Sequence, residues 1–426
     1  MLLGNSYSHD ARVSREASAL VEDGHAVTVI ARPIKDAPQS ATLNGIRVVR
    51  APRIRGFGIR TKLRTATHGL TRSDEYAPST TASRLRLPAW SIGAVVGTLR
   101  AIHTILNITF GWVRAALQTR AYASLCVDER PDVIHAHDLN TLRAGVIAKK
   151  RSGALLVYDA HELEANRVQR NPIENRLARW SERVWIRSAD RVITVSPSIG
   201  EVLARRYRVV PTIILNVPVP RKGPNRDFRA ALGVDSEVSI VLYQGGIMRR
   251  RGLEQVGEAV RLLKNCVFVM MGPDYGFGAF LENHFREVGV SDRVRQLPPV
   301  PSTELLGWTA AASVGLCTIM DASLSYRLAL PNKLFEYMAA GIPVVASDLP
   351  ELRRVVIGEQ IGELCDPTDP SSIAAAINRI LDDPEKAADY RANAQVAARK
   401  YNWDVEKRKL VDLYRGLEQL VPTEHA

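Results

Sequence analysis

The chain has 426 residues, 46% of them apolar and 24% charged, with a formal net charge of +12. That length exceeds one ordinary core and suggests two domains, and the composition is normal for a globular protein. Four well-separated cysteines (Cys126, Cys266, Cys317, Cys365) without a CxxC pair exclude a disulfide framework and a zinc knuckle, and they fit a reducing cytoplasm.

The first strand expected is only Met1-Leu2-Leu3. Buried strands usually run about five or six residues, so a late start codon or a clipped first strand is expected, with no leader pattern ahead of it. Asp10 is placed to cap a helix carrying Val13, Ala17, Leu20 and Val21 at helical spacing, and Gly24 ends it. Residues 26–30 read as a strand buried on both faces, and Ile46–Arg50 as another.

The positive charge is concentrated. Residues 41–120 hold 13 Lys/Arg against only Asp74 and Glu75, a local +11. Such a patch suits an anionic membrane surface or a lipid pyrophosphate; nucleic acid ranks low because no binding motif accompanies it. Thirteen uncharged residues separate Arg86 from Arg100, and thirteen more separate Arg100 from Arg114. A central Arg costs about 2.5–3.5 kcal/mol on insertion scales, which argues against a spanning helix. Val95, Leu99, Ile102, Leu106, Phe110 and Val113 form one stripe, flanked by Trp90 and Trp112. It suits a helix packed on the sheet, or one lying in a membrane interface.

From residue 132 strand and helix patterns alternate: strands at 132–137, 154–160 and 191–195, helices at 141–150, 173–188 and 197–207. Residues 211–237, with Pro211, Pro218, Pro220 and Pro224, read as a linker. The alternation then resumes, with strands at 238–243, 266–271, 293–297, 313–317 and 343–347. Helices fall at 252–264, 277–288, 302–312, 332–340 and 350–357, the last opened by a capping box from Asp348 to Glu351, and three more helices follow. The organisation expected is a first α/β domain over 1–210, a linker over 211–237, a second over 238–400, and a terminal helix over 401–426. Two βα domains imply two parallel sheets facing each other across a cleft, with ligands at the strands' carboxyl ends.

Those ends supply the candidate chemistry: His135, His137 and Asp138; Asp159, His161 and Glu162; Gly245 to Gly252; and 330–348. The run Gly245-Gly246-Ile247-Met248-Arg249-Arg250-Arg251-Gly252 follows an apolar strand and opens a helix, a phosphate site by type. Neither GxGxxG nor GxxxxGK[ST] occurs, which argues against a nicotinamide dehydrogenase and a P-loop NTPase. His135, His137, Asp138 and His161 can be read as metal ligands, but polar residues ending two buried strands can equally bond each other. No Asp-x-Asp occurs to bridge a metal to a diphosphate, so no metal is expected. Within 330–348, Asn332 can cap a helix that holds Lys333 and Glu336 on one face. Pattern alone leaves two readings: a surface helix with an i,i+3 ion pair, or an anion site.

The runs HDARVSREASALVEDGHAVTVIAR, PDVIHAHDLNTLRAGVIAKKR, VYDAHELEAN, SADRVITVS, LYQGGIMRRRGLEQVGEAV and LPNKLFEYMAAGIPVVASD, in that order, resemble the family 4 retaining glycosyltransferases of the GT-B fold. The resemblance covers nearly all the chain except about 51–120. It implies two Rossmann-like domains, with the C-terminal helix crossing back to the first. It also implies transfer of a sugar from a nucleotide-diphosphate donor to a saccharide or lipid-linked acceptor in polysaccharide or glycolipid synthesis. The setting implied is cytoplasmic, peripheral on the membrane through 41–120, without a cofactor.

By the resemblance Glu336 binds the donor ribose, Arg251 holds the diphosphate with Gly245, and His161 stands on the acceptor side as a catalytic residue beside Arg251. Two positions depart from the family. Gly246 lies where an Arg is usual, with Arg249 or Arg250 as substitutes, and Leu328 lies where the first Glu of a pair is usual, with Asn332 and Lys333 as substitutes. An epimerase of the same fold and a non-catalytic sugar-nucleotide-binding subunit are the alternatives.

Overall fold

The structure, a computed structural model, describes residues 1–7, 10–52, 113–166, 172–220 and 226–420. The apolar stripe read over 95–113 lies, apart from Val113, outside the described residues, as do Trp90 and Trp112. Among the described residues, no helix is long and apolar enough to cross a membrane.

The first half contributes β1 (Thr28–Ala31), β2 (Ser40–Leu43), β3 (Ile46–Arg50), β4 (Val133–His137), β5 (Leu155–Ala160), β6 (Arg191–Thr194) and β7 (Pro211–Ile213). They form two ladders, β1-β3-β2 and β4-β5-β6-β7, parallel except for β2. Leu2 joins them. Its N–H donates to the His135 carbonyl at 2.7 Å, and its carbonyl accepts from the His137 N–H at 3.1 Å. On the other side the Leu3 N–H reaches the Ile30 carbonyl at 2.9 Å. The strand β5 (Leu-Leu-Val-Tyr-Asp-Ala) is buried along almost its whole length, as a parallel strand covered by helices on both faces must be. The stretch read as a linker begins with β7, which pairs with β6.

The second half contributes β8 (Ser239–Gln244), β9 (Cys266–Met271), β10 (Val294–Leu297), β11 (Val314–Cys317), β12 (Val344–Ser347) and β13 (Gly362–Cys365). Their spatial order is β10-β9-β8-β11-β12-β13, all parallel. Successive strands are added outward in one direction from β8 and in the opposite direction from β11, so the switch point lies between these two and a crevice opens there at the strands' carboxyl ends. The loops after β8 and β11 and the helix Asn332–Ala340 border that crevice. Tyr337 on that helix is fully buried, and its ring fills the space that a side chain at Gly315 would need. Its hydroxyl accepts from the Gln244 N–H at 3.1 Å and lies 3.2 and 3.1 Å from the Leu242 and Leu316 carbonyls, closing the seam between β8 and β11.

The C-terminal helix Trp403–Glu418 crosses back to the first half. Leu410, Leu413, Tyr414 and Leu417 pack with Ala19, Leu20, Val157 and Ile193. The buried Glu406 accepts from the Leu215 N–H at 2.9 Å, and Lys407 and Arg415 pair with Glu22 and Asp23. Two local expectations are corrected. Pro331, not Asn332, precedes the helix Asn332–Ala340, so Asn332 is its first helical residue and makes no capping bond. Nor does Glu351 fold back to Asp348. Its carboxylate is buried and accepts from the Ser198 N–H of the first half at 2.8 Å, so a long-range contact displaces the local cap.

Gly315→Ala is expected to destabilise the second half, because the added methyl would sit 2.5 Å from the Tyr337 ring. Over-packing of that kind costs about 1–3 kcal/mol. Urea unfolding followed by tryptophan fluorescence measures it, and an unchanged midpoint would contradict the packing described.

Candidate functional site

On the first half's side, β4 and β5 deliver His135, His137 and Asp159 to one buried cluster, completed by Arg12 and Glu16 from the helix Ala11–Glu22. The Arg12 guanidinium meets both Asp159 oxygens at 3.0–3.1 Å, donates to the Ile214 carbonyl at 3.0 Å, and lies 2.9 Å from Glu16 Oε1. His161 follows β5, with Nε2 3.1 Å from Asp159 Oδ2 and Nδ1 3.5 Å from Asp138 Oδ2. His137 Nδ1 is 3.3 Å from His161 Nε2, and His135 Nδ1 is 2.9 Å from the Tyr414 hydroxyl on the terminal helix.

Burial and charge divide the protons among these groups. Burial opposes ionisation of Asp159, but Arg12 and His161 outweigh it and hold the carboxyl well below its usual range. Burial pushes Glu16 up to about 8, with Arg12 only partly offsetting it. Burial lowers His135 and His137, which stay neutral. For His161 burial works in the same direction, but the charges of Asp138 and Asp159 overcome it and raise the imidazole to about 9. One cationic imidazolium therefore stands at the edge of the cluster, facing the cleft.

Glu16, His135, His137 and Asp159 offer ligand atoms within 4.8 Å of one another. The cation position among them is already filled, because Arg12 lies against both carboxylates. A divalent ion would have to displace a buried guanidinium, so the donor set does not fit one.

On the second half's side, the loop after β8 runs through Gly245 (φ +122°), Gly246 and Gly252 (φ +71°). A side chain at Gly245 would press on the Lys333 ammonium, 3.4 Å from the Cβ position, and one at Gly252 would strike the Thr318 carbonyl at 2.7 Å. Lys333 is buried, with Nζ 3.4 Å from the centre of the Tyr243 ring, and burial drives its pKa down to about 7. The i,i+3 surface pair with Glu336 does not form. Glu336 instead accepts from the Gln244 amide, whose carbonyl oxygen takes the Thr309 hydroxyl at 2.7 Å. Burial raises the Glu336 pKa, with the Gln244 bond, Lys333 and Arg15 opposing it.

Arg251 lies over the Tyr326 ring at 4.9 Å and touches Met248 Sδ, without a carboxylate partner among the described residues. The structure thus brings Gly245, Gly246, Arg251, Lys333 and Glu336 to one side of the cleft. It does not bring Arg249 there: that guanidinium is stacked on Phe277 and Phe280, at 4.9 and 5.1 Å. At Gly246 a Cβ would sit 2.7 Å from the ring of the exposed Tyr275, which would have to swing aside. Leu328 is buried and joins the first half's apolar cluster, its carbonyl held by the Ser196 hydroxyl at 2.9 Å.

Two cavities open between the halves. One of 510 Å³ is lined by Asn5, Asp10, Arg12, His161, Asn216 and Asn332 among others. The other, of 410 Å³, is lined by His161, Glu162, Met248, Arg251, Ser325 and Tyr326 among others. His161, Val195 and Leu330 border both. Arg12, Glu16, Gln244 and Tyr414 were not among the sequence candidates. The available signal was Arg12 and Glu16 at i,i+4 beside the apolar stripe of the first helix.

The family model described as Glycosyl transferase 4-like domain matches residues 10–220, and that described as Glycosyl transferases group 1 matches 224–397. The D-inositol 3-phosphate glycosyltransferase of Thermobispora bispora is 27% identical over 307 residues, covering 67% of this chain and 70% of its own length. That of Corynebacterium diphtheriae is 27% identical over 346 residues, covering 74% and 80%. Among solved structures, sucrose-phosphate synthase from Thermosynechococcus elongatus superposes with a TM-score of 0.68 at 21% identity, over 96% of this chain and 93% of that one. Anabaena HepE in complex with UDP-glucose superposes with a TM-score of 0.60 at 20% identity, over 70% and 82%.

The charge on His161 predicts a pH dependence. Its pKa rises from 6.5 unfolded to about 9 folded, so its contribution is complete below 6.5 and lost as pH rises through 9. Glu16 acts in the same sense between 4.5 and about 8, where only the folded chain keeps the proton. The thermal midpoint is therefore expected to fall from pH 6.5 to 9, by an amount worth about 1–3 kcal/mol for His161, and the fall should be shallower in His161→Gln. An equal slope in both proteins would remove the pairing with Asp138 and Asp159 as its cause.

Proposed function

We propose, because the chain belongs to the group 1 glycosyltransferases with a glycosyl transferase 4-like N-terminal half, that it moves a sugar with retention of configuration from a nucleotide-diphosphate donor to a saccharide or lipid-linked acceptor. The observation carrying this reading is the pair of basic side chains, Arg251 and Lys333, that have no carboxylate partner among the described residues and lie beside the glycine loop after β8. A diphosphate is the ligand that such a site suits: close backbone, a helix N-terminus at Leu253, and two positive side chains. Glu336, held in place by Gln244, is then the acceptor of ribose hydroxyl bonds. The sugar would extend toward His161, where the two cavities meet.

Among the described residues, the close carboxylate pair beside the cleft, Glu16 and Asp159, is fully buried and tied to Arg12, which does not suit it for double displacement. We therefore assign transfer to attack by the acceptor hydroxyl on the face from which the nucleotide leaves, with a leaving phosphate oxygen taking the proton. Arg251 and Lys333 stabilise the charge developing on the diphosphate. Both come from the chain itself, and the reading needs no resident metal. An acceptor bearing phosphate, as in the names of the relatives, would find its counter-charge in His161. Neither the epimerase nor the non-catalytic reading is favoured, since the relatives that match most of the chain are transferases. Polysaccharide or glycolipid synthesis at the inner face of the membrane is the setting we propose, with residues 41–120 supplying positive charge.

Two outcomes are expected. Glu336→Ala and Arg251→Ala should each lower transfer at least about 10²-fold with little change in thermal midpoint, and full activity in both would remove the donor assignment. Lys333, half deprotonated near pH 7 when the site is empty, should regain its proton against a diphosphate. Calorimetric binding of UDP or GDP at pH 8, repeated in buffers of different ionisation enthalpy, should show net proton uptake in the wild type and little in Lys333→Met. Equal uptake in both would place the diphosphate away from Lys333.

A further inference from the structure

The helix Pro172–Trp185 turns an apolar stripe to the outside. At helical spacing Ile173, Leu177, Trp180 and Val184 fall within an arc of about 60°, and they are 70%, 42%, 62% and 46% exposed. The roll of the helix is fixed from within. Glu182, its only buried residue, accepts from the Tyr158 hydroxyl at 2.8 Å and from the Tyr207 hydroxyl at 2.7 Å. With Glu182 anchored, the stripe on the opposite face has nowhere to go but outward. Arg176, Arg179 and Arg183 line one flank of it and Arg187 follows just beyond, none with a carboxylate partner among the described residues.

We propose that this helix docks the enzyme on an anionic lipid surface, its apolar stripe in the interface and its arginines against the headgroups. The proposal rests on the reading of a transferase that works at a membrane, and it names the contact. Charge selects the occupant: a row of unpaired arginines beside an exposed apolar stripe suits anionic lipid, whereas an apolar protein partner would leave them uncompensated. Position agrees. The helix follows the segment that carries His161 and Glu162, which line the cavities, so an acceptor with its tail in the bilayer would present its head near His161.

The test is co-sedimentation of the full chain with vesicles of phosphatidylcholine alone and with added phosphatidylglycerol, at low salt. Wild type should prefer the anionic vesicles. Leu177→Ser combined with Trp180→Ser should lower partitioning about tenfold or more, and Arg176→Glu combined with Arg183→Glu should abolish the preference for anionic lipid. A thermal shift on adding a nucleoside diphosphate, equal to that of wild type, verifies that each variant is folded. If the stripe variant sediments as wild type does, the proposal is overturned. If it does so while Arg53→Glu with Arg55→Glu and Lys62→Glu releases the protein, the membrane reading survives and this helix is not the contact. A wild type indifferent to anionic lipid overturns both. Dissociation of a dimer by the stripe variant in light scattering, with wild-type vesicle binding kept, assigns the stripe to a second copy and overturns the proposal too.

Discussion

Asp159 is a carboxylate without access to water, and it remains charged because Arg12 is buried beside it. Neither ion could stand there alone, since an unpaired buried charge costs several kcal/mol. The pair ties the first helix to the centre of the first sheet, and through the Ile214 carbonyl it reaches the segment leading to the second half. It also sets the chemistry of the cleft. A fixed negative charge under His161 keeps that imidazole protonated, while His135 and His137, deeper and beside the same carboxylate, stay neutral. Three histidines of one kind thus take two charge states according to depth and to which carboxylates each one meets.

The second half's side of the cleft uses the opposite device. Lys333 is buried against an aromatic face instead of a carboxylate, so its charge is held in check until an anion arrives. Gln244 and Thr309 keep Glu336 occupied and aimed without neutralising it. The two departures from the family acquire physical reasons. Tyr275 takes the space that a side chain at position 246 would use, and Leu328 serves as an apolar contact with the first half. An apolar side chain in the joint strengthens the contact between halves.

Much of this was legible in the residues. Apolar runs such as 266–271 and the cap at Asp10 depend on neighbours in the chain, and the fold keeps them as read. The helix Asn332–Ala340 has the bounds that its pattern predicts, and the terminal helix returns to the first half. What escaped depends on partners far away. Ser40–Leu43 is a largely exposed edge strand, and Gly362–Cys365 alternates too briefly to be told from a loop. Glu351 forgoes its local cap for an N–H more than 150 positions away, and Arg12 and Glu16 are charges that pattern assigns to solvent. A sequence shows which residues can pair; it does not show which distant partner prevails.

The return of the terminal helix has a consequence for anyone wishing to recombine such enzymes. By packing, residues 403–418 belong to the first half: they cover Ala19, Leu20, Val157 and Ile193 and bond His135 at the heart of the charged cluster. By chain order they belong to the second. A chimera joined only near residue 220 would therefore seat a foreign helix on this sheet and put a foreign side chain opposite His135. The packing module is discontinuous, and exchanging the second half cleanly takes two splices, one near residue 220 and one just before Trp403.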